Sequence, residues 1–369
     1  MKIVIAGNYG VGNLGDEMIL KGLLQTLRNA VPFAELTVLS GNPEETARRH
    51  YVKTAEKFPA GFRSLVKMFL GMRKGPSEIV KECDYFILGG GGLFGGLKKR
   101  ANIIWGIQAM MAYFYNKPVI MYGQSIGPLK GWFVKKIVKN LFKKAKTIIL
   151  RDQKSKDRLS NIGISKEKIN VFPDLAFGFK NENTASNKQK KLVVALREMK
   201  GITPKFKESI AGFLNWLINE NKWQVTFITF QTGIGSDDPL HEEIRAMIVD
   251  KPYVEIISEH NIDHILQNFA EAEMVLGMRL HAIVSAIKTK TPFIAINYAP
   301  KVKDFLASSS LDSHMLNVKE INAARLREQF DLIQSEKENI TSNLLSFNEN
   351  ASQEHKKMEE YLKTIFRNA

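Results

Sequence analysis

The chain has 369 residues, 44% hydrophobic and 25% charged, the proportions of a globular protein with room for two domains. Its single cysteine, Cys83, excludes a disulfide framework and a cysteine-rich zinc or iron–sulfur site, and no apolar run approaches the ~18 residues of a membrane span. The net charge of +15 lies in the first half: residues 1–180 carry 30 basic and 13 acidic residues, residues 181–369 carry 23 and 25. A field of one sign speaks to partners rather than fold.

Short apolar runs alternate with longer amphipathic segments, which predicts an α/β protein with mostly parallel sheets. Strands are expected at Lys2–Ala6, Leu36–Leu39, Tyr85–Leu88, Val119–Tyr122, Thr147–Leu150 and Asn170–Phe172, with helices over Glu17–Asn29, Ile103–Tyr115 and Trp132–Lys144. The polar stretch Gly178–Lys191 has no period and reads as a linker. A second series follows at Leu192–Leu196, Gln224–Phe230, Val254–Ile257, Met274–Leu276 and Phe293–Ile296, and from about Val318 the tail is helical, with Tyr361, Leu362 and Ile365 as a late apolar patch. The expected division is a first domain over 1–180, a second over 188–345 and a terminal helix over 346–369. MKIVIAG carries one lysine and runs directly into a glycine motif, so a signal peptide is not expected and a cytoplasmic location is.

The conspicuous residues follow the strands. Gly7–Asp16, Gly89–Gly92, Gly123–Pro128 and Arg151–Asp152 do so in the first half, and Arg197, Gln231, Gly277–His281 and Asn297–Lys301 in the second. Parallel sheets bind ligands beyond the carboxyl ends of their strands, so two such domains would present their loops to one cleft. Gly10-Val-Gly-Asn-Leu-Gly15 satisfies a dinucleotide fingerprint, but the next strand ends Val38-Leu39-Ser40 without the acid that binds ribose. Asn8, Asn13 and Asp16 around those glycines are richer than a helix cap requires, although Asp16 would also suit a plain helix opening. The four glycines Gly89–Gly92 imply positive φ or close approach of the backbone to a ligand, with a tight strand–helix crossing as the structural alternative.

Gly277-Met-Arg-Leu-His281 should open a helix running from Arg279 to about Lys288. A cation at that end is unfavourable unless an anion accompanies it, which makes Arg279 and His281 candidates for anion binding. Arg197, closing its strand, could clamp a carboxylate or phosphate or form an ordinary ion pair. The remaining histidines, His50, His241, His260, His264, His314 and His355, have no metal-ligand spacing, so no metal is expected.

These residues fall in motifs that together resemble the polysaccharide pyruvyl transferase family, its CsaB type in particular. They are GNYGVGNLGDE (7–17), GGGGLF (89–94), GQSIGP (123–128), RDQKS (151–155), PDLAF (173–177), VALR (194–197), GMRLHA (277–282) and NYAPKV (297–302). The resemblance implies two Rossmann-like domains with parallel sheets facing a cleft, as in GT-B glycosyltransferases. It implies transfer of pyruvate from phosphoenolpyruvate, the only small molecule besides the acceptor, onto two sugar hydroxyls as a cyclic ketal, with release of phosphate and no further cofactor. The acceptor it implies is a lipid-linked precursor containing N-acetylmannosamine. Arg197, Arg279, Leu280 and His281 inherit donor binding, with His281 as general acid and Asp16 as candidate base. Asn8, Gly12, Asn13, Asp16, Gly91, Gly92, Gln124 and Arg151 are expected on the acceptor side.

Two other readings share these features. A GT-B glycosyltransferase would release a nucleotide from a sugar donor. A non-catalytic basic protein would bind membrane or nucleic acid through exposed aromatics among cations. The expected partner of the basic half is an anionic membrane surface, met from the cytoplasmic side, rather than nucleic acid. Phe58–Gly75, with four basic residues and no acid, is the better candidate contact, with a packed loop–helix as its alternative. The lysine-flanked apolar stripe of Trp132–Lys144 reads first as a helix docked on its own domain and second as a membrane contact, to which the lysines of 130–146 would contribute.

Overall fold

The computed structural model describes residues 1–59, 75–95, 99–180, 187–308, 311 and 314–367. Most of Phe58–Gly75 lies outside the described residues. The chain divides into two compact units. The first comprises Met1–Val11, Asp16–Phe179 and Gln353–Ala369; the second comprises Gly12–Gly15 and Lys180–Ser352.

The first unit is built on seven parallel strands: β1 (Lys2–Ala6), β2 (Glu35–Ser40), β3 (Lys53–Glu56), β4 (Tyr85–Phe94), β5 (Val119–Ile126), β6 (Thr147–Leu150) and β7 (Ile169–Val171). Their order, β3-β2-β1-β4-β5-β6-β7, reverses direction between β1 and β4. Both faces of this sheet are apolar. Val4, Ala6, Phe86, Leu88, Val119, Met121, Ile148 and Leu150 enter one core. The alternate residues Ile3, Ile5, Tyr85, Ile87, Ile120, Tyr122 and Ile149 enter the other. Burial on two faces is why these strands read as unbroken apolar runs instead of alternating ones.

The second unit has six strands, β8 (Gln189–Ala195), β9 (Gln224–Ile228), β10 (Val254–Ile257), β11 (Ala272–Gly277), β12 (Phe293–Asn297) and β13 (Met315–Asn317). They are parallel throughout, in the order β10-β9-β8-β11-β12-β13, with the reversal between β8 and β11. In each sheet the reversal leaves two neighbouring strand ends whose loops diverge, the position where open α/β sheets bind ligands.

Several element limits differ from the sequence expectation, and two strands are additional. Strand β4 does not stop at Leu88 but runs through the glycines to Phe94, pairing with β5 across an irregularity between Gly91 and Phe94. Strand β8 begins at Gln189, so the last three residues of the expected linker belong to the sheet. Strands β3 and β13 were not expected: KTAE is a polar edge strand, and MLN is only three residues long. The terminal helix begins at Lys337 and runs unbroken to Arg367. Its last turns bring Met358, Leu362 and Phe366 into the first unit's core, where the Tyr361 hydroxyl meets Thr147 Oγ1 at 2.6 Å and accepts from Asn170 Nδ2 at 2.9 Å.

One buried carboxylate organises the loop after β1. Glu17, in the first turn of the helix Leu14–Ala30, accepts the Gly10 N–H at 2.8 Å through one oxygen and meets His50 Nε2 at 2.8 Å through the other. Burial alone would raise the carboxyl's pKa. The His50 ring, the Gly10 amide and Arg49 outweigh it and hold Glu17 below the ordinary carboxylate value. Stability from this group is therefore complete above the usual carboxylate range and is lost as pH falls through it. Glu17→Ala should cost about 2–3 kcal/mol in urea denaturation at pH 7, because it orphans a half-buried amide and a buried ring. The gap to the native protein should narrow as pH drops below about 4.

Candidate functional site

At the switch point of the first sheet, Ala6 of β1 pairs with Leu88 of β4, so the loop beginning at Gly7 adjoins the glycine run of β4. Asn8 donates from Nδ2 to Asp16 Oδ2 at 2.7 Å. Asp16 lies in the first helical turn and is half-buried. Its other oxygen lies against Gly91, where an added Cβ would come within 3.2 Å of Oδ1. Gly90 and Gly91 both have positive φ, 64° and 80°. The glycine run thus turns the backbone through a conformation that L side chains resist while keeping space beside a carboxylate. Nothing crowds a Cβ at Gly92.

Gln124 pairs with Gly91 across the sheet and is fully buried. Its Nε2 donates to the Leu88 carbonyl at 2.7 Å, whereas its Oε1 has no hydrogen-bond partner. A buried amide oxygen without a donor is costly and uncommon, and here it stands one strand from the Asn8–Asp16 pair. Arg151 is differently placed. Its Nε donates to Ser125 Oγ at 2.6 Å and its NH1 is paired with the buried Asp174. Ser125 in turn donates to Asp152 Oδ2 at 2.7 Å. The protein supplies the Arg151 guanidinium with its own anion, so this arginine ties together the ends of β5, β6 and β7.

Gly12 and Asn13 group with the second unit. Asn13 forms an antiparallel bridge with Gln231 and donates to its Oε1 at 3.1 Å, and the Gly12 carbonyl accepts the Thr232 N–H at 2.8 Å. In the same tetrapeptide, a Cβ on Gly15 would lie 2.3 Å from His281 Nδ1. Glycine at position 15 is what lets the His281 ring lie against this backbone.

At the second switch point Ala195 of β8 pairs with Gly277 of β11, and the two chains continue into Arg197 and Arg279. The helix begins at Leu280, with Arg279 as its extended N-cap residue. The arginine does not wait for an external anion, as its position in the sequence suggested. It is buried and forked onto Asp237, with Nε 3.0 Å from Oδ2 and NH2 bonded to Oδ1. Asp237 also accepts the Glu198 N–H and the Gln231 N–H, each at 3.0 Å. One wholly buried carboxylate therefore links the ends of β8, β9 and β11 and sets the arginine at the helix N-terminus.

Arg197 donates from NH1 to the Tyr298 hydroxyl at 2.7 Å, and its guanidinium lies 5.0 Å from the centre of that ring. Its Nε is buried with no partner. Lys301 approaches the same ring, with Nζ 5.8 Å from the centroid. Burial would raise the Tyr298 phenol's pKa, but Lys301 and Arg197 outweigh it and hold it below the ordinary tyrosine value. A cationic cluster with an unused guanidinium donor beside a helix N-terminus is suited to a small, highly charged anion. Among the described residues no group of three or more His, Cys, Asp or Glu side chains is placed to hold a metal ion.

Asp237, Glu17 and Tyr298 carry functional geometry that sequence reasoning did not single out. Asp237 had a signal in the Asp237-Asp238-Pro239 helix opening, but the same string also suits a solvent-facing cap.

Paired doubly wound units with polar loops at both switch points define a GT-B-like architecture, and solved structures bear this out. HepE from Anabaena in complex with UDP-glucose matches the whole of both chains with TM-score 0.64 at 13% identity. A putative UDP-N-acetylglucosamine 2-epimerase from Listeria monocytogenes covers 100% of this chain and 98% of its own, with TM-score 0.70 at 10% identity. The chain belongs to the polysaccharide pyruvyl transferase family, whose sequence profile matches residues 13–300. Among curated proteins it is similar to the amylovoran biosynthesis protein AmsJ of Erwinia amylovora, at 23% identity over 82% of this chain and 84% of that protein.

His241 lies beside Asp237 on the helix Asp238–Ala246, with its ring tilted against Phe227 at 5.1 Å between centroids. Burial pulls its pKa down to about 4, despite the neighbouring Asp237 and Asp238. The ring is neutral in the folded protein and must take up a proton on unfolding in acid. Its contribution to stability is thus full above about pH 6.5 and lost as pH falls through about 4. His241→Phe should flatten the acid limb of a stability–pH profile by roughly 3 kcal/mol over that window, measured by urea denaturation.

Proposed function

We propose that this protein transfers the pyruvyl group of phosphoenolpyruvate to two hydroxyls of one sugar, forming a cyclic ketal and releasing phosphate. The observation that carries this reading is the second switch point of a pyruvyl transferase family member. Arg197, with an unused buried Nε, and Arg279, set by Asp237, stand on adjacent strand ends at a helix N-terminus. The donor is a compact phosphate–carboxylate anion, and guanidinium forks with helix amides suit both of its groups.

In the proposed reaction His281 protonates the donor's methylene carbon, building cationic character at the neighbouring carbon. One sugar hydroxyl adds there, the bond to the phosphate oxygen breaks, and the second hydroxyl closes the ring. The two hydroxyl protons leave, one restoring His281 and the other departing with phosphate. Arg197 takes a phosphate or carboxylate oxygen of the donor through its unused Nε, Arg279 stays fixed on Asp237 and adds its positive charge beside it, and the backbone at Leu280 contributes the helix N-terminus. Asp16, oriented by Asn8, orients an acceptor hydroxyl or relays its proton to the departing phosphate, and the uncommitted Gln124 oxygen accepts from a sugar hydroxyl or amide. Membership of the family and the similarity to a polysaccharide biosynthesis protein support a glycan precursor as acceptor. We assign it to a diphosphate-lipid-linked sugar of the N-acetylmannosamine type.

The test is incubation with phosphoenolpyruvate and a panel of lipid- and nucleotide-linked sugars. Acceptor-dependent phosphate release should appear together with a product heavier by pyruvate less water. His281→Ala should lower this rate by about 10²–10⁴ with the fold intact. Nucleotide release from a sugar nucleotide without consumption of phosphoenolpyruvate would replace this reading with glycosyl transfer. The pH profile gives a second check. Ionised Tyr298 competes with the donor for Arg197, so kcat/KM for phosphoenolpyruvate should fall as pH rises toward the tyrosine range, and Tyr298→Phe should remove that limb.

A further inference from the structure

We propose that the outer faces of the helices Lys99–Phe114 and Trp132–Lys144 form a surface that docks on an anionic lipid bilayer. The two helices lie side by side on one face of the first sheet. Gly106 faces Leu141 and Ile137, the Tyr113 hydroxyl donates to the Leu141 carbonyl at 2.7 Å, and both helices feed one core through Ala109, Met111, Ala112, Val134, Val138 and Phe142. Their solvent faces therefore look the same way.

Those faces combine two chemistries seldom found together. Along the first helix, Ile103, Met110 and Phe114 recur at helical spacing and are 40%, 58% and 71% exposed. On the second, Trp132 and Phe133 are 73% and 48% exposed, their rings in edge contact at 6.0 Å. Beside them stand Lys135, Lys136, Lys139, Lys143 and Lys144, all exposed, with Lys136 Nζ 5.7 Å from the centre of the Trp132 ring. Isolated exposed apolar residues need no explanation, but five large ones gathered on two neighbouring helices mark an interaction surface.

Charge selects the occupant. No acidic residue occurs between Asp84 and Asp152, an interval that spans both helices. A second copy of the chain would bring lysine against lysine across this face. An anionic headgroup layer instead accepts the lysines while the aromatic and aliphatic side chains enter the interfacial region beneath it. No helix among the described residues is long and apolar enough to cross a membrane, so the contact would be peripheral. The inference stands on this surface alone and does not depend on the transfer reaction.

The test is co-sedimentation of the full chain with vesicles of phosphatidylcholine alone and of phosphatidylcholine containing about one-third phosphatidylglycerol. Binding should require the anionic lipid, weaken with salt and shift Trp132 emission to shorter wavelength, a shift absent in Trp132→Phe. Replacing Lys135, Lys136, Lys139 and Lys143 by Gln should weaken binding at least about tenfold, as should Phe114→Ser combined with Phe133→Ser. Thermal melting shows that each variant is folded, and phosphate release with a soluble acceptor should stay at the native rate, which separates this result from the test of the reaction. Equal binding to neutral vesicles, or binding indifferent to both sets of substitutions, would overturn the proposal. So would a dimer that Phe114→Ser and Phe133→Ser convert to monomer, or soluble polyanion binding that survives loss of the aromatics while vesicle binding is absent.

Discussion

The buried carboxylate of Asp237 is the constraint on which the second unit's chemistry depends. It receives four donors on two oxygens: two from Arg279 and the backbone amides of Glu198 and Gln231. Removing a charge of that kind leaves a buried guanidinium without its counter-ion, at a cost of about 3–5 kcal/mol. Keeping it fixes three strand ends in register and points one arginine at a helix N-terminus that would otherwise repel it. Arg197 is left with a lighter tether, a tyrosine hydroxyl and ring, and a donor still to place. One arginine is locked and the other retains capacity, a division suited to preorganised anion binding.

The first unit applies the same logic with the opposite charge. At its switch point Glu17 is the locked carboxylate, closed by an amide and a histidine ring, while Asp16, one residue earlier, is only half-buried and is oriented by Asn8. Adjacent acids on one helical turn thus divide into one buried and closed by its partners and one at a half-buried position. Arg151, at the end of β6, is neutralised by Asp174, and among the described residues Lys135, Lys136, Lys139, Lys143 and Lys144 are exposed on the helix Trp132–Lys144.

Much of this was legible in the sequence. Strands β1 and β6 have the expected limits because they are short runs buried on both faces and flanked by polar turns, and the edge strand β10 has them as well. The helix Trp132–Lys144 has its expected limits because its apolar stripe is continuous. Strand β4 runs six residues beyond its apolar run, since glycine argues against strand and only the pairing with β5 carries the chain through it. Polar β3 carries no apolar signal at all, because an edge strand owes its place to backbone pairing. In the site, the residues at strand ends were visible from their position. Their partners were not, because Asp237 reaches Arg279 across 42 residues and Glu17 reaches His50 across 33. Ion pairing at that distance leaves no local pattern, so Arg279 and Arg151 looked like free cations.

The most direct measurement is calorimetric titration of phosphoenolpyruvate into the acceptor-free protein, beside Asp237→Asn and a sugar nucleotide control. Saturable binding of phosphoenolpyruvate by the native chain is expected, and none of the sugar nucleotide. Asp237→Asn, folded by its melting curve, should bind at least about thirtyfold more weakly, a difference of about 2 kcal/mol. Equal affinity of the folded Asp237→Asn variant, or binding of the sugar nucleotide in place of phosphoenolpyruvate, would contradict it.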